Sequence, residues 1–256
     1  NRRIVLMIKL KRNIRLTPLS TFKIGGRVRF FCEVKNDKEL FEAIQKAKKL
    51  KISYKIIAGG SNVVFPDKPL NCLLIKIRNN KLKAVGNEII VDSGVELGTV
   101  IKKVIASGLR GLETLSGIPG TVGGAIIGNA GAYGHAISEV VEKAEIFGPV
   151  RGREGTQRAS ASNGMGDWKK YWLTNKECKF RYRESIFKER PYIVLRAVLK
   201  FKKGNAEELK KISKNIIKTR LKKYKPGIRC PGSFFKNVLV SEVSKKSLAL
   251  IDVNKI

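Results

Sequence analysis

Histidine and acidic residues are scarce in this 256-residue chain. It has a single histidine, His135, and 21 aspartates and glutamates against 53 lysines and arginines. One histidine is too few to build a metal site, and acid–base chemistry must fall to other groups. His135 directly follows a glycine-rich loop, where a lone polar residue is usually solvated, so we assign it no role.

Long apolar runs are also missing. A membrane-spanning helix needs about 18 or more consecutive apolar residues, and the sequence has no such run. Near the start, Lys9, Lys11 and Arg12 end the apolar stretch after five residues, which is too short for a secretory signal. The chain opens on a residue other than methionine, so we place the expected native start at Met7. No membrane contact is predicted.

Cysteines are few and widely spaced. The four thiols show no Cys-x-x-Cys spacing, which indicates neither a zinc site nor a dense disulfide framework: Cys32, Cys72, Cys178 and Cys230. The simple interpretation is a reducing, cytoplasmic environment.

The excess of basic residues gives a formal net charge of +32, enough to attract polyanions in general. Nucleic-acid binding is therefore an open alternative. The lysines and arginines are spread through every segment, however, and no nucleic-acid module or aromatic-basic repeat can be recognised. A basic solvated surface is favoured, with nonspecific polyanion contact as an added property and no specific nucleic acid.

Three segments have helical spacing of apolar residues. Residues 37–50 predict a helix with Asp37 as N-cap, and residues 96–107 predict a second that ends before Gly108. Residues 206–224 predict a strongly basic third helix, which is either a solvated face or presents Arg220 and Lys223 to a diphosphate. Apolar runs predict strands at residues 54–57, 72–77, 88–92 and 193–201. With 43% apolar residues, the chain can bury a substantial core, and the pattern predicts an α+β protein.

Residues 151–170 do not fit this pattern. They contain no isoleucine, leucine, valine or phenylalanine and are rich in glycine, serine and arginine, which predicts an atypical loop. An insertion and a translated reading-frame error both explain such a segment, and the sequence does not separate them.

Two glycine-rich regions predict close approach of a ligand to the backbone. The first, Ala58-Gly59-Gly60-Ser61-Asn62, follows a predicted strand and could cradle a pyrophosphate, although alone it is only a turn. The second runs from Gly117 through the Gly123-Gly124 pair to Gly134, and its small residues predict that something large and flat lies against the chain. A Cβ at Gly123 or Gly124 would then occupy the ligand's space. The pattern is not Gly-x-Gly-x-x-Gly, so it does not support a Rossmann dinucleotide site.

Two further segments carry charged and hydroxyl groups. They are Phe180-Arg181-Tyr182-Arg183-Glu184-Ser185 and Gly232-Ser233-Phe234-Phe235-Lys236-Asn237. Taken alone, Arg183 would be a surface ion-pair residue and Ser233 a turn residue. In their order along the chain, these segments and the glycine-rich regions resemble the UDP-N-acetylenolpyruvoylglucosamine reductase family, from about Leu16 onward. Only 50 residues separate Arg183 from Ser233, as in the shorter branch of that family, which lacks an extra substrate-capping segment.

The resemblance implies a fold and a cofactor. It implies a two-lobed FAD-binding domain of the vanillyl-alcohol-oxidase (PCMH) type over residues 16–203, with lobes at 16–77 and 78–203. A partial, smaller α+β substrate domain follows over residues 204–256. The residues implied to bind FAD are Ala58, Gly59, Gly60, Ser61, Asn62, Gly117, Ile118, Pro119, Gly120, Thr121, Gly123, Gly124, Ala125, Asn129, Gly131, Ala132, Tyr133 and Gly134.

The implied reaction reduces an enol ether on a UDP-linked amino sugar, with NADPH as hydride donor. Arg183 would stabilise the charge that develops next to the substrate carboxylate, and Ser233 would supply the proton, with Lys236 as a hypothetical assistant. The residues expected to bind the substrate are Tyr182, Arg220, Lys223, Lys236 and Asn237.

The resemblance also implies a missing part. Family members continue past the point where this chain stops, and their tail brings a catalytic glutamate that has no match after Asn237. We therefore expect a chain that binds FAD and turns over little alone. Two rival interpretations stay open: another FAD-dependent oxidoreductase of the same fold, and a non-enzymatic polyanion-binding protein.

Overall fold

The computed structural model describes residues 8–149, 168–225, 227–233 and 237. Within them, two sheets follow one another along the chain, and a long helix comes after the second sheet.

The first sheet has four strands in the order β1-β2-β4-β3. Strand β2 pairs antiparallel with β1 and parallel with β4, and β3 also runs parallel to β4. Helix α1 connects β2 to β3 and buries Leu40, Ala43, Ile44 and Ala47. The bounds are β1 Lys11–Arg15, β2 Arg27–Val34, α1 Asp37–Lys49, β3 Ser53–Ile57 and β4 Leu70–Ile77.

The second sheet is antiparallel, with five strands in the order β11-β10-β12-β6-β5. Helices α2 and α3 lie between β6 and β10 in the sequence, and their buried residues join the core of this sheet. The bounds are β5 Leu82–Val85, β6 Glu88–Asp92, α2 Leu97–Ala106, α3 Val122–Ile127, β10 Val141–Pro149, β11 Trp168–Thr174 and β12 Ile193–Lys200.

The remaining elements are short strands and two helices. Strand β7 pairs with β13, and β8 pairs with β9 in a small hairpin. Helix α5 packs beside α2 and the turn after β7. The bounds are β7 Leu109–Arg110, β8 Gly131–Ala132, β9 His135–Ala136, α4 Ile186–Glu189, β13 Lys202–Lys203 and α5 Ala206–Lys223.

The two sheets share part of their core. Phe147, Ile193 and Leu195 belong to the second sheet but pack in the cluster that contains α1 and the first sheet. An ionic contact lies at the same boundary, because Arg196 on β12 faces three carboxylates, those of Asp37, Asp92 and Glu145, at 2.8 to 3.2 Å. Burial lowers the pKa of Arg196, but the three carboxylates outweigh it and raise the pKa.

The mixed helix and strand content confirms the predicted α+β class, and the predicted helices and strands are found with bounds that differ by at most two residues. Two details of the prediction were wrong. The N-cap of α1 is Asn36, whose side chain accepts a hydrogen bond from the Glu39 amide, and Asp37 begins the helix. Residues 168–170 belong to strand β11, where Trp168 packs edge-on against Phe147. The rest of the atypical segment, residues 151–167, lies outside the described residues.

No helix in the described ranges combines the length and the apolar character needed to cross a bilayer. Over the same ranges, no cluster of three or more His, Cys, Asp or Glu side chains could hold a metal ion.

Candidate active site

The two glycine-rich regions meet. The Ser61 hydroxyl donates to the Pro119 carbonyl at 3.0 Å. A Cβ built on Gly59 would lie 3.1 Å from the Gly120 Cα, so the two backbones pack with no room for a side chain between them. The loop after β3 and the loop before α3 therefore form one continuous surface, to which both predicted FAD segments contribute.

Two glycines in these regions are required by the protein's own packing. Gly60 has a φ of +69°, and a Cβ there would lie 2.0 Å from the Leu19 carbonyl oxygen. A Cβ on buried Gly123 would meet the Ser93 side chain at 2.7 Å and its carbonyl oxygen at 3.0 Å. The expectation that a Cβ at Gly123 would enter the ligand's space was therefore wrong, because protein already fills that space.

Gly124 is different. It is exposed on α3, and the nearest described atom to a Cβ there is the Thr121 Oγ1 at 3.7 Å. Thr121 is the N-cap of α3 and accepts a hydrogen bond from the Gly124 amide. No described residue occupies the space where a side chain at Gly124 would lie, so the backbone there forms an open surface. This observation fits a flat cofactor such as FAD lying against α3.

The second half of the glycine-rich region forms the β8–β9 hairpin. Tyr133 at its tip has a φ of +53° and is 55% exposed, and Gly134 beside it has a φ of +80°. Left-handed backbone at a tyrosine is strained and is held here by the tight turn. His135 pairs with Glu139 at 2.9 Å. The hairpin thus presents an exposed aromatic ring next to the glycine surface.

Arg220 connects helix α5 to both parts of this surface. Its guanidinium lies 5.8 Å from the centroid of the Tyr133 ring, and its Cδ would be 3.0 Å from a Cβ on Gly117. The Arg220 Nε is buried and has no hydrogen-bond partner among the described residues. A buried, unpaired guanidinium nitrogen is costly in an otherwise complete site, which is consistent with a polar ligand there.

The segment that carries Ser233 is fixed to the first glycine-rich loop. The Asn62 amide nitrogen donates to the carbonyls of Pro231 at 2.9 Å and Ser233 at 3.2 Å. The Thr21 hydroxyl donates to the Cys230 carbonyl at 2.9 Å. These contacts bring the predicted proton donor to the predicted cofactor surface across more than 160 residues of sequence.

Tyr182 and Arg183 lie at the tip of another tight turn. The amides of Arg181 and Glu184 each donate to the other's carbonyl at 3.0 Å, and Arg183 has a φ of +56°. The turn is anchored to the end of α3, because the Asn129 amide donates to the Arg181 carbonyl and the Ser185 hydroxyl donates to the Ile127 carbonyl. A strained arginine on an anchored turn is a candidate functional group.

The other predicted residues have less specific surroundings. Lys223 lies over the Tyr224 ring at 5.7 Å, and Asn237 is exposed. Lys236 lies outside the described residues. Four small or apolar members of the predicted FAD set have no polar side-chain atoms: Ala58 after β3, Ile118 before α3, Ala125 on α3 and Ala132 on β8.

Sequence reasoning missed three residues of this region. Thr21 and Tyr224 contact the Ser233 segment, and Ser93 sets the packing of Gly123. The available signals were a hydroxyl four residues before the Gly25-Gly26 pair and an aromatic residue at the end of a basic helix, but neither indicates which distant segment it contacts.

Comparisons with known proteins give the class of fold and the family. A family model described as "FAD binding domain" matches residues 28–150. Cholesterol oxidase from Brevibacterium sterolicum has a similar fold, with a TM-score of 0.52 at 10% identity over 77% of this chain and 38% of that one. The family model and the fold therefore define an FAD-binding domain of the vanillyl-alcohol-oxidase (PCMH) type.

More specific relatives are also found. The chain is 34% identical to UDP-N-acetylenolpyruvoylglucosamine reductase of Solibacter usitatus, covering 93% of this chain and 72% of that protein. The same enzyme of Alkaliphilus metalliredigens is 33% identical, over 85% of this chain and 66% of that protein. The crystal structure of the Thermus caldophilus reductase has a TM-score of 0.71 at 25% identity and covers 94% of this chain and 79% of that one. The chain belongs to the UDP-N-acetylenolpyruvoylglucosamine reductase family.

Proposed function

We propose that this protein reduces UDP-N-acetylglucosamine enolpyruvate to UDP-N-acetylmuramate in the cytoplasm, with bound FAD and with NADPH as hydride donor. The product is a peptidoglycan precursor, so the proposed role is in cell-wall synthesis. The observation that carries the proposal is the attachment of the Ser233 segment to the glycine-rich surface through Asn62. This attachment supports the proposal, because a flavin enzyme that reduces an enol ether needs a proton donor beside its cofactor surface.

The residues divide into a cofactor surface and a substrate side. The surface formed by Gly59, Gly120 and Gly124 would hold FAD, with Ser61 joining the two loops that build it and Asn62 holding the Ser233 segment beside it. Bound FAD would supply the hydride-transfer chemistry that links NADPH to the substrate. Tyr133 and Arg220 would contact the substrate or the cofactor at the edge of this surface.

Hydride addition to the terminal carbon of the enolpyruvyl group leaves negative charge on the carbon next to its carboxylate. We assign Arg183 to stabilise this charge, because a guanidinium is permanently positive and can bind a carboxylate through two parallel hydrogen bonds. Ser233 then transfers the proton of its hydroxyl to the same carbon, which completes the lactyl ether. The four predicted substrate-side cations are Arg183, Arg220, Lys223 and Lys236, and they suit a ligand with a carboxylate and a diphosphate.

The test separates the two half-reactions in protein made from its complete coding sequence. Under anaerobic conditions, NADPH is expected to bleach the flavin band at about 450 nm, and the enolpyruvyl substrate is expected to restore it. Ser233→Ala should leave the bleaching rate unchanged and slow the restoration by ~10²–10⁴-fold, because only the second half-reaction needs the proton. Protein that takes up no FAD, or reduced flavin that the substrate does not reoxidise, would overturn the proposed function.

A further inference from the structure

Tyr224 contacts the predicted proton donor directly. The phenol oxygen of Tyr224 lies 3.2 Å from the Ser233 Oγ, and either hydroxyl can donate in this pair. Within the described residues, Tyr224 contacts the hydroxyl of the Ser233 side chain, whereas Asn62 donates to the Ser233 backbone carbonyl.

The position of Tyr224 is set by the end of helix α5. Tyr224 is the residue after the last helical residue, and its amide donates to the Arg220 carbonyl at 2.7 Å. The Lys223 ammonium lies 5.7 Å from the centroid of the Tyr224 ring. Because Asn62 and Thr21 hold the other side of the Ser233 segment, the serine hydroxyl lies between a glycine-rich loop and the end of α5.

Serine is a very weak acid, and it becomes an alkoxide when it gives up its proton. A phenol is a much stronger acid, with an ordinary pKa of about 10, so a phenol in hydrogen-bond contact can return a proton to the alkoxide. We propose that Tyr224 is a positioning residue for Ser233: it orients the serine hydroxyl toward the substrate and returns a proton to it after transfer. Solvent then reprotonates Tyr224, so each turnover consumes one proton. This inference rests on the proposed function, because the step that Tyr224 serves is the proton transfer to the substrate.

The kinetic test uses Tyr224→Phe, which keeps the ring and its packing and removes only the hydroxyl. This variant loses the hydrogen bond to the Ser233 alkoxide. We therefore expect the substrate to reoxidise the reduced flavin about 10- to 100-fold more slowly. The rate of flavin reduction by NADPH and the substrate concentration for half-maximal rate should stay within about twofold of wild type. The matched control is Tyr54→Phe, which removes a phenol from strand β3, outside the site.

The double variant distinguishes action through Ser233 from independent substrate binding. If Tyr224 acts through Ser233, adding Tyr224→Phe to Ser233→Ala has no further effect, because the group that it serves is gone. A wild-type rate in Tyr224→Phe, or a rate loss that adds to that of Ser233→Ala, would overturn the proposal.

A spectroscopic test needs neither cofactor nor substrate. With tyrosines labelled at the ring carbon that bears the oxygen, the Tyr224 signal is identified by its absence in Tyr224→Phe. Ser233→Ala should shift this signal and leave the Tyr54 signal in place. An unshifted Tyr224 signal would show that the two hydroxyls are not paired. If wild-type protein fails to reduce the substrate, the proposed function fails, and this measurement still decides whether Tyr224 and Ser233 interact.

Discussion

The side-chain amide of Asn62 donates to the backbone carbonyl of Ser233 at 3.2 Å, so a residue of the first glycine-rich loop holds the predicted proton donor. The sequence predicted that Asn62 contacts FAD, and that contact stays a prediction. The structure adds that the Asn62 amide nitrogen is occupied by Pro231 and Ser233. One loop therefore couples the position of the cofactor surface to that of the serine.

Replacing Asn62 with leucine should release the Ser233 segment without a large change of volume. We expect reoxidation of the flavin by substrate to slow at least tenfold (about 1.4 kcal/mol in the barrier) while reduction by NADPH changes less than twofold. The measurement is anaerobic stopped-flow absorbance of each half-reaction. Asn87→Leu is the matched control, because Asn87 also donates to a distant carbonyl, that of Phe201, outside the site. Equal slowing of both half-reactions would count against a role in positioning Ser233.

The adjacent glycines of α3 should respond differently to alanine. Gly123→Ala places a methyl group 2.7 Å from the Ser93 Cβ and is expected to destabilise the cofactor-free protein by about 1–3 kcal/mol. Gly124→Ala adds a methyl group in open space within a helix and should be neutral or stabilising by up to about 1 kcal/mol. Urea unfolding monitored by circular dichroism measures both free energies. Equal losses in the two variants would contradict the packing described for Ser93.

The four thiols should differ in reactivity in the folded protein. Burial raises the pKa of Cys32 to about 12 and also raises the pKa of Cys72, and Cys178 is fully buried. The thiolate is the reactive form, so these three should resist a charged thiol reagent at about pH 8. Cys230 is half-exposed and should react, giving one modified thiol per chain that is lost in Cys230→Ser. Rapid modification of two or more thiols before unfolding would be inconsistent with this core.

Acid should weaken the hairpin that carries Tyr133. Burial raises the pKa of Glu139, but hydrogen bonds from His135 and the Ala136 amide outweigh it and hold the pKa below its ordinary value of 4.5. A carboxyl group with a lowered pKa stabilises the fold above its unfolded pKa, and this contribution disappears as the pH falls through the folded pKa. We therefore expect Glu139→Gln to be less stable than wild type at pH values above 4.5, with the difference vanishing in more acidic solution. Urea unfolding over a pH series tests this, and a difference that grows as the pH falls would contradict the sign of the shift.

Local patterns allowed the α+β class and the main helices and strands to be predicted, because apolar spacing and glycine ends are local signals. The β6 strand at 88–92 and the Gly108 stop of α2 are examples. Contacts between distant segments could not be predicted in this way. Nothing in the sequence near Gly123 indicates that Ser93 packs against it, or that Thr21 and Tyr224 reach the Ser233 segment, since these contacts depend on how the sheets and α5 are placed. Strand β11 begins within the atypical loop segment because the Phe147 and Trp168 rings meet across the sheet.

The most direct test of the account is a titration of the cofactor-free protein with FAD, comparing wild type with Gly124→Ala and Gly98→Ala. Both alanines add a methyl group where no close described atom stands, but only Gly124 lies on the proposed cofactor surface. Wild type and Gly98→Ala should bind one FAD per chain with the same affinity. Gly124→Ala should bind at least tenfold more weakly (about 1.4 kcal/mol) while its unfolding free energy without FAD is unchanged or higher. Wild-type affinity for FAD in Gly124→Ala would contradict the placement of the cofactor against α3.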